Sequence, residues 1–531
     1  PIEELDWRHL DKETQQQQLA DLCAADRRRG FDLTAAPVMR LILIRLDETT
    51  THQIWDAHHM VLDGLSAFIV TNEVMKIYEA LCVKRPFTLP QPRPFRDYVQ
   101  WLNQVDLDQA KTYWQTQLAS FAHATTLAID QDPAQVNQPD AAQGEQLLDF
   151  SPDFAQSLQP FLRQHRITFN TLIQAAWGLL LSVYSSNDDV LFGQTNHGRP
   201  VELSGFANMV GLFITTTPVR ITVPTEMTVS DWLQQVQTAA VTQRRFEHTP
   251  LTQIQSWSDI PRGEPLFHTL LLVQSDPAFT AVQDEGSERY EKTNYPIALS
   301  VLTNEKDYLR VVLKYNKSRF SETAVTQLLT HFRHLLQTLC AAPDRLVSHI
   351  PLLPPNEYTN MTTAWNQTAV NFDLSQTVPT LVHQQAVKTP GETAVTFADT
   401  RLTYRELDKR SNQLARYLQA AGVTAETVVG VCLERSPDMI VSLLAVLKAG
   451  GAYIPIDPDF PVNRINLMLA DSGAPILLTQ TALVAQMGFA ADRLICIDAE
   501  WPQINEESDA FLSDAAPQQL AYIIYTSGST G

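Results

Sequence analysis

The sequence predicts an α/β protein. Over the first 350 residues or so, short apolar strands are interleaved with apolar runs at helical spacing. From about Ala394 helices and strands alternate, the pattern of parallel sheet built from βαβ units. The length of 531 residues suggests about three or four compact units, each long enough to bury its own core.

The elements follow in order. Leu41–Leu46 and Gln53–Ala57 read as strands joined by a turn at Asp47–Thr51. Ser66 can cap a helix whose apolar positions Val70, Val74, Ile77, Tyr78 and Leu81 share one face. Pro86 to Pro94 reads as an extended connector, and the polar stretch Asp130–Gly144 as a surface linker. A second helix carries Phe169, Leu172, Ile173, Ala176, Trp177, Leu180 and Leu181, and a third spans about Glu322–Leu339. Pro354-Pro355, within a linker at 351–366, marks the main domain boundary. Beyond it Tyr404–Ala420 and Asp438–Lys448 read as helices. Val428–Leu433, Ile476–Thr479 and Leu520–Tyr525 read as strands.

Composition narrows the function. Lys plus Arg number 39 against 59 Asp plus Glu, a net charge of −20, which argues against nucleic-acid binding through a basic surface. It leaves room for a nucleotide, because backbone N–H groups in a local nest can hold phosphates. No apolar run approaches the ~18 residues of a membrane helix. The five cysteines are scattered with no CxxC pair, so they read as reduced thiols of a cytoplasmic protein. His248 and His268 stand isolated and read as structural or exposed, and no metal site is expected. The chain begins at Pro1 and stops at Gly531 inside a glycine-rich loop, which reads as a piece of a longer protein cut at both ends.

Two motifs carry chemistry. His58-His59-Met60-Val61-Leu62-Asp63-Gly64 lies between a strand and a helix, where loop-borne catalytic groups sit. Its four fixed positions are expected by chance on the order of once in a thousand chains of this length. A neutral His59 can take a proton from an attacking amine or hydroxyl. Asp63 can instead be structural, paired with an arginine that fixes the loop. Gly64 permits close approach, and its N–H can face a developing oxyanion. Alone, the motif suits equally well two half-buried histidines before a helix cap. No Ser or Cys nucleophile is placed beside it, which favours direct transfer between two bound substrates over a covalent acyl-enzyme. The second motif is the terminal Thr526-Ser527-Gly528-Ser529-Thr530-Gly531, where an apolar strand feeds a loop of small hydroxyl and glycine residues. Such a loop can wrap phosphate oxygens, although it is not a GxxxxGK[ST] loop.

With these motifs in place, residues 1 to about 350 resemble the condensation domain of a nonribosomal peptide synthetase. The histidine motif is joined, in family order, by Arg96-Asp97-Tyr98 with Trp101, Gly198-Arg199-Pro200 with Met209–Arg220, Glu247–Leu251 and Arg262–Phe267. Leu402–Leu407, Leu447–Asp457 and TSGSTG are similar to the first core motifs of the adenylation domains of the same synthetases. The resemblance implies two chloramphenicol-acetyltransferase-like lobes at about 1–140 and 141–350, then the start of an adenylate-forming α/β domain at 367–531.

The resemblance also implies peptide-bond formation between a donor thioester and an acceptor aminoacyl amine. Both ride on phosphopantetheine arms of upstream and downstream peptidyl carrier domains, and the bond forms near His59, acting as base or only orienting the amine. His58, Asp63 and Gly64 would complete that site. An intact histidine pair argues against a cyclisation domain, which would carry Asp residues there. Thr526–Gly531 would hold ATP, with Mg²⁺, while a carboxylate attacks the α-phosphate. Tyr404 and Leu407 would be core contacts and Gly450-Gly451 a tight turn.

The family's upstream RHxxLR-type segment is not found, so the arginine expected to pair with Asp63 is expected to be missing. The motifs that follow TSGSTG in the family are also not found, so adenylation by this chain alone is not expected. Two other readings are a CoA-dependent acyltransferase of the same fold, against which the segment after 366 speaks, and a catalytically silent carrier-docking platform.

Overall fold

The computed structural model describes residues 2–89, 91–132, 142–200, 203, 205–274, 293–304, 306–486 and 488–526. Pro90 of the expected connector, 133–141 of the expected linker and Ser527–Gly531 of the expected phosphate loop lie outside them. The chain forms two compact units, Pro1–Asn366 and Gln367–Gly531.

The first unit begins with strand β1 (Ile2–Asp6) and helix α1 (Lys12–Arg29). Strands β2 (Met39–Arg45) and β3 (Thr51–Ala57) follow, then helix α2 (Gly64–Cys82). β2 is the central strand, parallel to β1 and antiparallel to β3. Ser66 is not the cap of α2. Asp63 is, its Oδ1 accepting the Ser66 N–H at 2.7 Å. The expected apolar face is not buried throughout: Val74, Tyr78 and Leu81 are exposed, because helical periodicity reports a shared face and not what covers it.

Helices α3 (Phe95–Leu102) and α4 (Leu107–Leu118) leave the first lobe. Trp114 and Leu118 of α4 are buried with Leu191, Ile254 and Phe267, and Tyr98 of α3 with Met209 and Phe213. These two helices thus pack against residues of the second lobe. Asp130, expected in a surface linker, is buried in an ion pair with Arg319, and Gly144 lies inside a strand.

That strand, β4 (Gln143–Asp149), opens the second lobe. Helices α5 (Pro152–His165) and α6 (Phe169–Ser185) precede β5 (Asp189–Asn196) and β6 (Thr215–Thr222). Next come α7 (Val229–Gln243), α8 (Leu251–Trp257), β7 (Thr269–Gln274), β8 (Ile297–Thr303), β9 (Leu309–Asn316) and α9 (Glu322–Ala341). The strands form one six-stranded sheet in the order β4-β9-β8-β7-β5-β6. One face, with Phe192, Leu271, Leu299, Val301 and Leu313, packs on α6 and α9, and α6 is buried along most of its length. On the other face the α4–α8 cluster covers Leu191, and Leu270 packs against that cluster. The stretch 351–366 is not only linker: it holds a short helix, α10 (Pro355–Thr359), tied to α9 by Glu357, which accepts from Gln327 and pairs with His331, each at 2.7 Å.

The second unit has helix α11 (Val378–Lys388) and hairpin β10 (Thr393–Phe397)/β11 (Thr400–Thr403). Helix α12 (Tyr404–Ala420) starts with a capping box between Thr403 and Glu406. Then β12 (Val428–Val431), α13 (Pro437–Lys448), β13 (Ala452–Pro455), α14 (Val462–Ser472), β14 (Ile476–Thr479), α15 (Thr481–Gln486), β15 (Arg493–Cys496) and α16 (Ile497–Ile504) alternate. The sheet is all parallel, in the order β13-β12-β14-β15, with apolar clusters on both faces. Leu407 is buried, Tyr404 half-buried, and Gly450 takes φ +89° in the turn from α13 to β13.

The expected last strand, Leu520–Tyr525, reduces to a single parallel bridge at Tyr522. The Tyr453 N–H donates to Ala521 O at 3.1 Å, and the Ile523 N–H to Tyr453 O at 2.9 Å. Among the described residues no single helix is long and apolar enough to cross a membrane, and the cysteines are free thiols.

Candidate active site

β3 ends at Ala57, and a tight turn connects it to α2. The His58 N–H donates to Val38 O at 3.0 Å, which holds the start of that turn against the residue just before β2. The ring Nδ1 of His58 accepts the Met60 N–H at 3.2 Å, so a neutral His58 carries its proton on Nε2. The His58 ring also meets Phe31 edge-on, with centroids 6.2 Å apart. His58 is thereby built into the turn and is not among the residues lining the neighbouring cavity.

His59 is exposed and lines that cavity with Gly64. Gly64 is the first residue of α2, where helix N–H groups have no intrahelical acceptor. The cavity encloses about 260 Å³. Its far side is made by second-lobe residues, among them Asn196, His197, Leu272 and Ser300.

Asp63 borders the cavity as well, with its carboxylate held in the junction of the two lobes. Its side chain and that of Arg199 are buried, with Nη2 at 3.2 Å from Oδ1 and 3.4 Å from Oδ2. Oδ2 also accepts the Phe213 N–H at 3.1 Å. Ser66 closes the knot: its hydroxyl donates to Gly211 O at 2.8 Å and accepts from Gly211 N at 3.0 Å and Arg199 Nη2 at 2.9 Å. Arg199 Nη1 donates to Phe206 O at 2.8 Å and Met209 O at 2.9 Å. Its guanidinium lies 4.0 Å above the Phe213 ring. Burial draws the Arg199 pKa down, and the Asp63 charge opposes that shift.

The expectation that Asp63 lacks an arginine is therefore corrected. Arg199 supplies it, from the Gly198-Arg199-Pro200 motif 136 positions further along the chain. Nothing in the spacing of that motif assigns it this task. The available signal is a lone arginine just after a strand, within a motif already singled out.

Two glycines make the geometry possible. Gly198 has φ +59°, and a Cβ there would stand 1.7 Å from Phe213 O. At Gly211 a Cβ would stand 2.2 Å from the Phe95 ring. Behind the knot α3 stacks aromatics: Phe95 and Tyr98 lie 5.2 and 4.6 Å from Phe213, and Trp101 meets His248 edge-on at 4.7 Å. His248 is thus packed. Burial, with the Glu247 charge adding to it, pushes the Tyr98 phenol up to about 12. Burial holds His268 below the ordinary imidazole value.

In the second unit Thr526 follows the segment that extends the sheet beyond β13, past the bridge with Tyr453. The C-terminal end of parallel strands is where α/β sheets bind ligands. The Tyr525 hydroxyl bonds to Asp471 just before it. Thr526 is exposed. Among the described residues no group of three His, Cys, Asp or Glu side chains is placed to hold a metal ion.

The chain is similar to known proteins along nearly its whole length. Residues 1–362 match the family model for the condensation domain, and residues 382–531 that for AMP-binding enzymes. The chain is 39% identical over 543 aligned positions to a linear gramicidin synthase of Brevibacillus parabrevis, covering 99% of this chain and 10% of that protein. It is 34% identical to tyrocidine synthase 2 of the same organism, covering 100% of this chain and 15% of the relative. A crystal structure of a four-domain nonribosomal peptide synthetase bound to AMP and glycine superposes with a TM-score of 0.78 at 20% identity, covering 99% of this chain and 41% of that one. The chain thus spans only about a tenth to a seventh of the length of these curated relatives. By these matches the chain belongs to the condensation-domain family, and it carries the condensation-then-adenylation domain order of the nonribosomal peptide synthetases.

Proposed function

We propose that the first unit forms the peptide bond of a nonribosomal peptide synthetase elongation module. The observation that carries this reading is the division of labour within the motif. His59 is exposed to the cavity, whereas both oxygens of Asp63 are engaged in the buried knot with Arg199.

In this reading the acceptor amine attacks the carbonyl carbon of the donor thioester. The C–N bond forms, the C–S bond breaks and the thiolate leaves with its phosphopantetheine arm. His59 orients the amine or takes its proton. The N–H groups opening α2 at Gly64 face the charge that develops on the carbonyl oxygen. Asp63 and Arg199 are positioning residues that hold the turn, and His58 braces it. The substrates are aminoacyl and peptidyl thioesters on neighbouring carrier domains.

The second unit belongs to the activating half of the module. Thr526 and the Ser527–Gly531 loop that follows are proposed to hold the phosphates of ATP, with Mg²⁺ bound to the nucleotide.

The test is His59→Ala in the full synthetase with loaded carriers. Dipeptide formation should fall steeply while amino-acid adenylation, read by pyrophosphate exchange, is unchanged. Dipeptide yield equal to wild type would favour a docking platform instead.

A further inference from the structure

We infer that the sheet wall of the cavity is a side-chain subsite that selects an apolar aminoacyl group. The inference rests on the amide-forming reading of His59 and adds the substrate class to it.

The strands of the second-lobe sheet alternate over most of their length, with Val273 reaching both the core and the cavity. Leu271, Leu299, Val301 and Leu313 face the core beneath α6 and α9. The intervening Leu270, Leu272, Ala298, Ser300 and Lys314 line the cavity instead. Register arranges the cavity residues in rows: Lys314 pairs with Ala298, Ala298 with Leu270, and Ser300 with Leu272. Neighbouring strands lie about 4.8 Å apart, so the row from Lys314 to Leu270 spans roughly 10 Å. Ala298, the smallest side chain of that row, stands at its centre. Leu270, Leu272 and Ala298 therefore form an apolar shelf with a dip at Ala298, bordered by Ser300 and Lys314.

Charge on this wall does not reward a charged substrate. Lys314 stands opposite Glu145 in register on β4, a cross-strand pair of opposite sign. Asp63, the acidic side chain among the described residues that line the cavity, already serves Arg199 and two backbone N–H groups. A carboxylate or ammonium lodged against Leu270, Leu272 and Ala298 would lose water that these apolar side chains do not replace. A side chain of leucine size would fill the dip and displace water from Leu270 and Leu272.

The test uses the full synthetase with two series of carrier-bound thioesters, donor and acceptor, each carrying Ala, Leu, Phe, Glu or Lys. Wild type should process Leu faster than Glu and Lys in one of the series, and that series identifies which substrate rests on the shelf. Ala298→Phe should lower the Leu-to-Ala ratio of kcat/KM in that series by at least about tenfold, the scale of an altered apolar pocket. Leu272→Ala should shift preference the other way, raising the Phe-to-Leu ratio. Ratios that stay within about twofold of wild type for both variants would overturn the subsite, as would equal rates for Leu, Glu and Lys. If wild type forms no dipeptide from any pair although its adenylation is intact, the amide-forming reading fails and the subsite with it. If His59→Ala abolishes the product but the ratios do not move, the subsite alone fails.

Discussion

Arg199 Nη2 stands 3.2 Å from Asp63 Oδ1, and the two side chains are 5% and 2% exposed. A charged pair this deeply buried is costly to desolvate, so removing one member leaves the other uncompensated. Arg199→Met is expected to destabilise the first unit by about 3–5 kcal/mol. Asp63→Asn combined with Arg199→Met should cost less than the sum of the single changes, because the orphaned charge is gone. Urea unfolding of the four-member cycle measures the coupling. Additive effects would show that the pair is not a unit.

Ser66 is fully buried and serves three partners with one hydroxyl. Ser66→Ala removes an acceptor from the Gly211 N–H and from Arg199, for which about 1–3 kcal/mol is expected. Faster amide exchange at Gly211 should accompany the loss.

Gly198 combines a left-handed φ of +59° with backbone 1.7 Å from where a Cβ would lie. Gly198→Ala must therefore move Phe213 or the Arg199 turn. The loss expected exceeds the roughly 1–3 kcal/mol of backbone strain alone, and dipeptide formation should fall with it. A variant as stable and active as wild type would show that the turn relaxes without cost.

The two motif histidines should separate kinetically. His59→Ala should lower the condensation rate by about 10²–10⁴-fold, the usual worth of a proton-transferring group. His58→Ala removes only the acceptor of the Met60 N–H and the contact with Phe31, so the loss expected is smaller, up to about 10²-fold from misplacement of His59. Single-turnover dipeptide assays on both variants make the comparison.

The second unit holds a buried ionic cluster with a defined pH response. Lys448 Nζ lies 2.7 Å from Asp408 Oδ1 and 2.6 Å from Asn412 Oδ1, and His383 Nδ1 is 2.9 Å from Asp408 Oδ2. Burial works to raise the Asp408 pKa, but Lys448 and His383 outweigh it and hold the carboxyl below its ordinary value. A depressed carboxyl pKa contributes stability in full above the unfolded value, and that contribution is lost as pH falls through the folded one. Asp408→Asn should therefore cost about 3–5 kcal/mol at neutral pH, with the deficit shrinking below about pH 4. Hydrogen exchange in α12 and α13 across that range follows the deficit, which should not be constant.

Much of the architecture is legible locally. The helices at Phe169 and Tyr404 begin at the residues their apolar spacing indicates, because a helix buried along one long stripe repeats every 3.6 residues whatever its neighbours. The histidine turn is legible too, as a short motif at a strand-to-helix junction. The same periodicity misleads at α2, where Val74, Tyr78 and Leu81 keep helical spacing yet remain exposed. Composition misleads at Asp130, which opens a polar stretch. Only the partner Arg319, 189 positions away, makes burial of that carboxylate possible.

Family, domain order and the two chemical motifs were determined by the sequence alone, since each is written in residues close together along the chain. Tertiary structure alone decided that Arg199 pairs with Asp63, that Ser66 bridges to Gly211, and that Leu270, Leu272, Ala298 and Ser300 wall the cavity. The first two relations join residues more than a hundred positions apart. They depend on desolvation, sheet register and close backbone approach, which arise only once the lobes have packed.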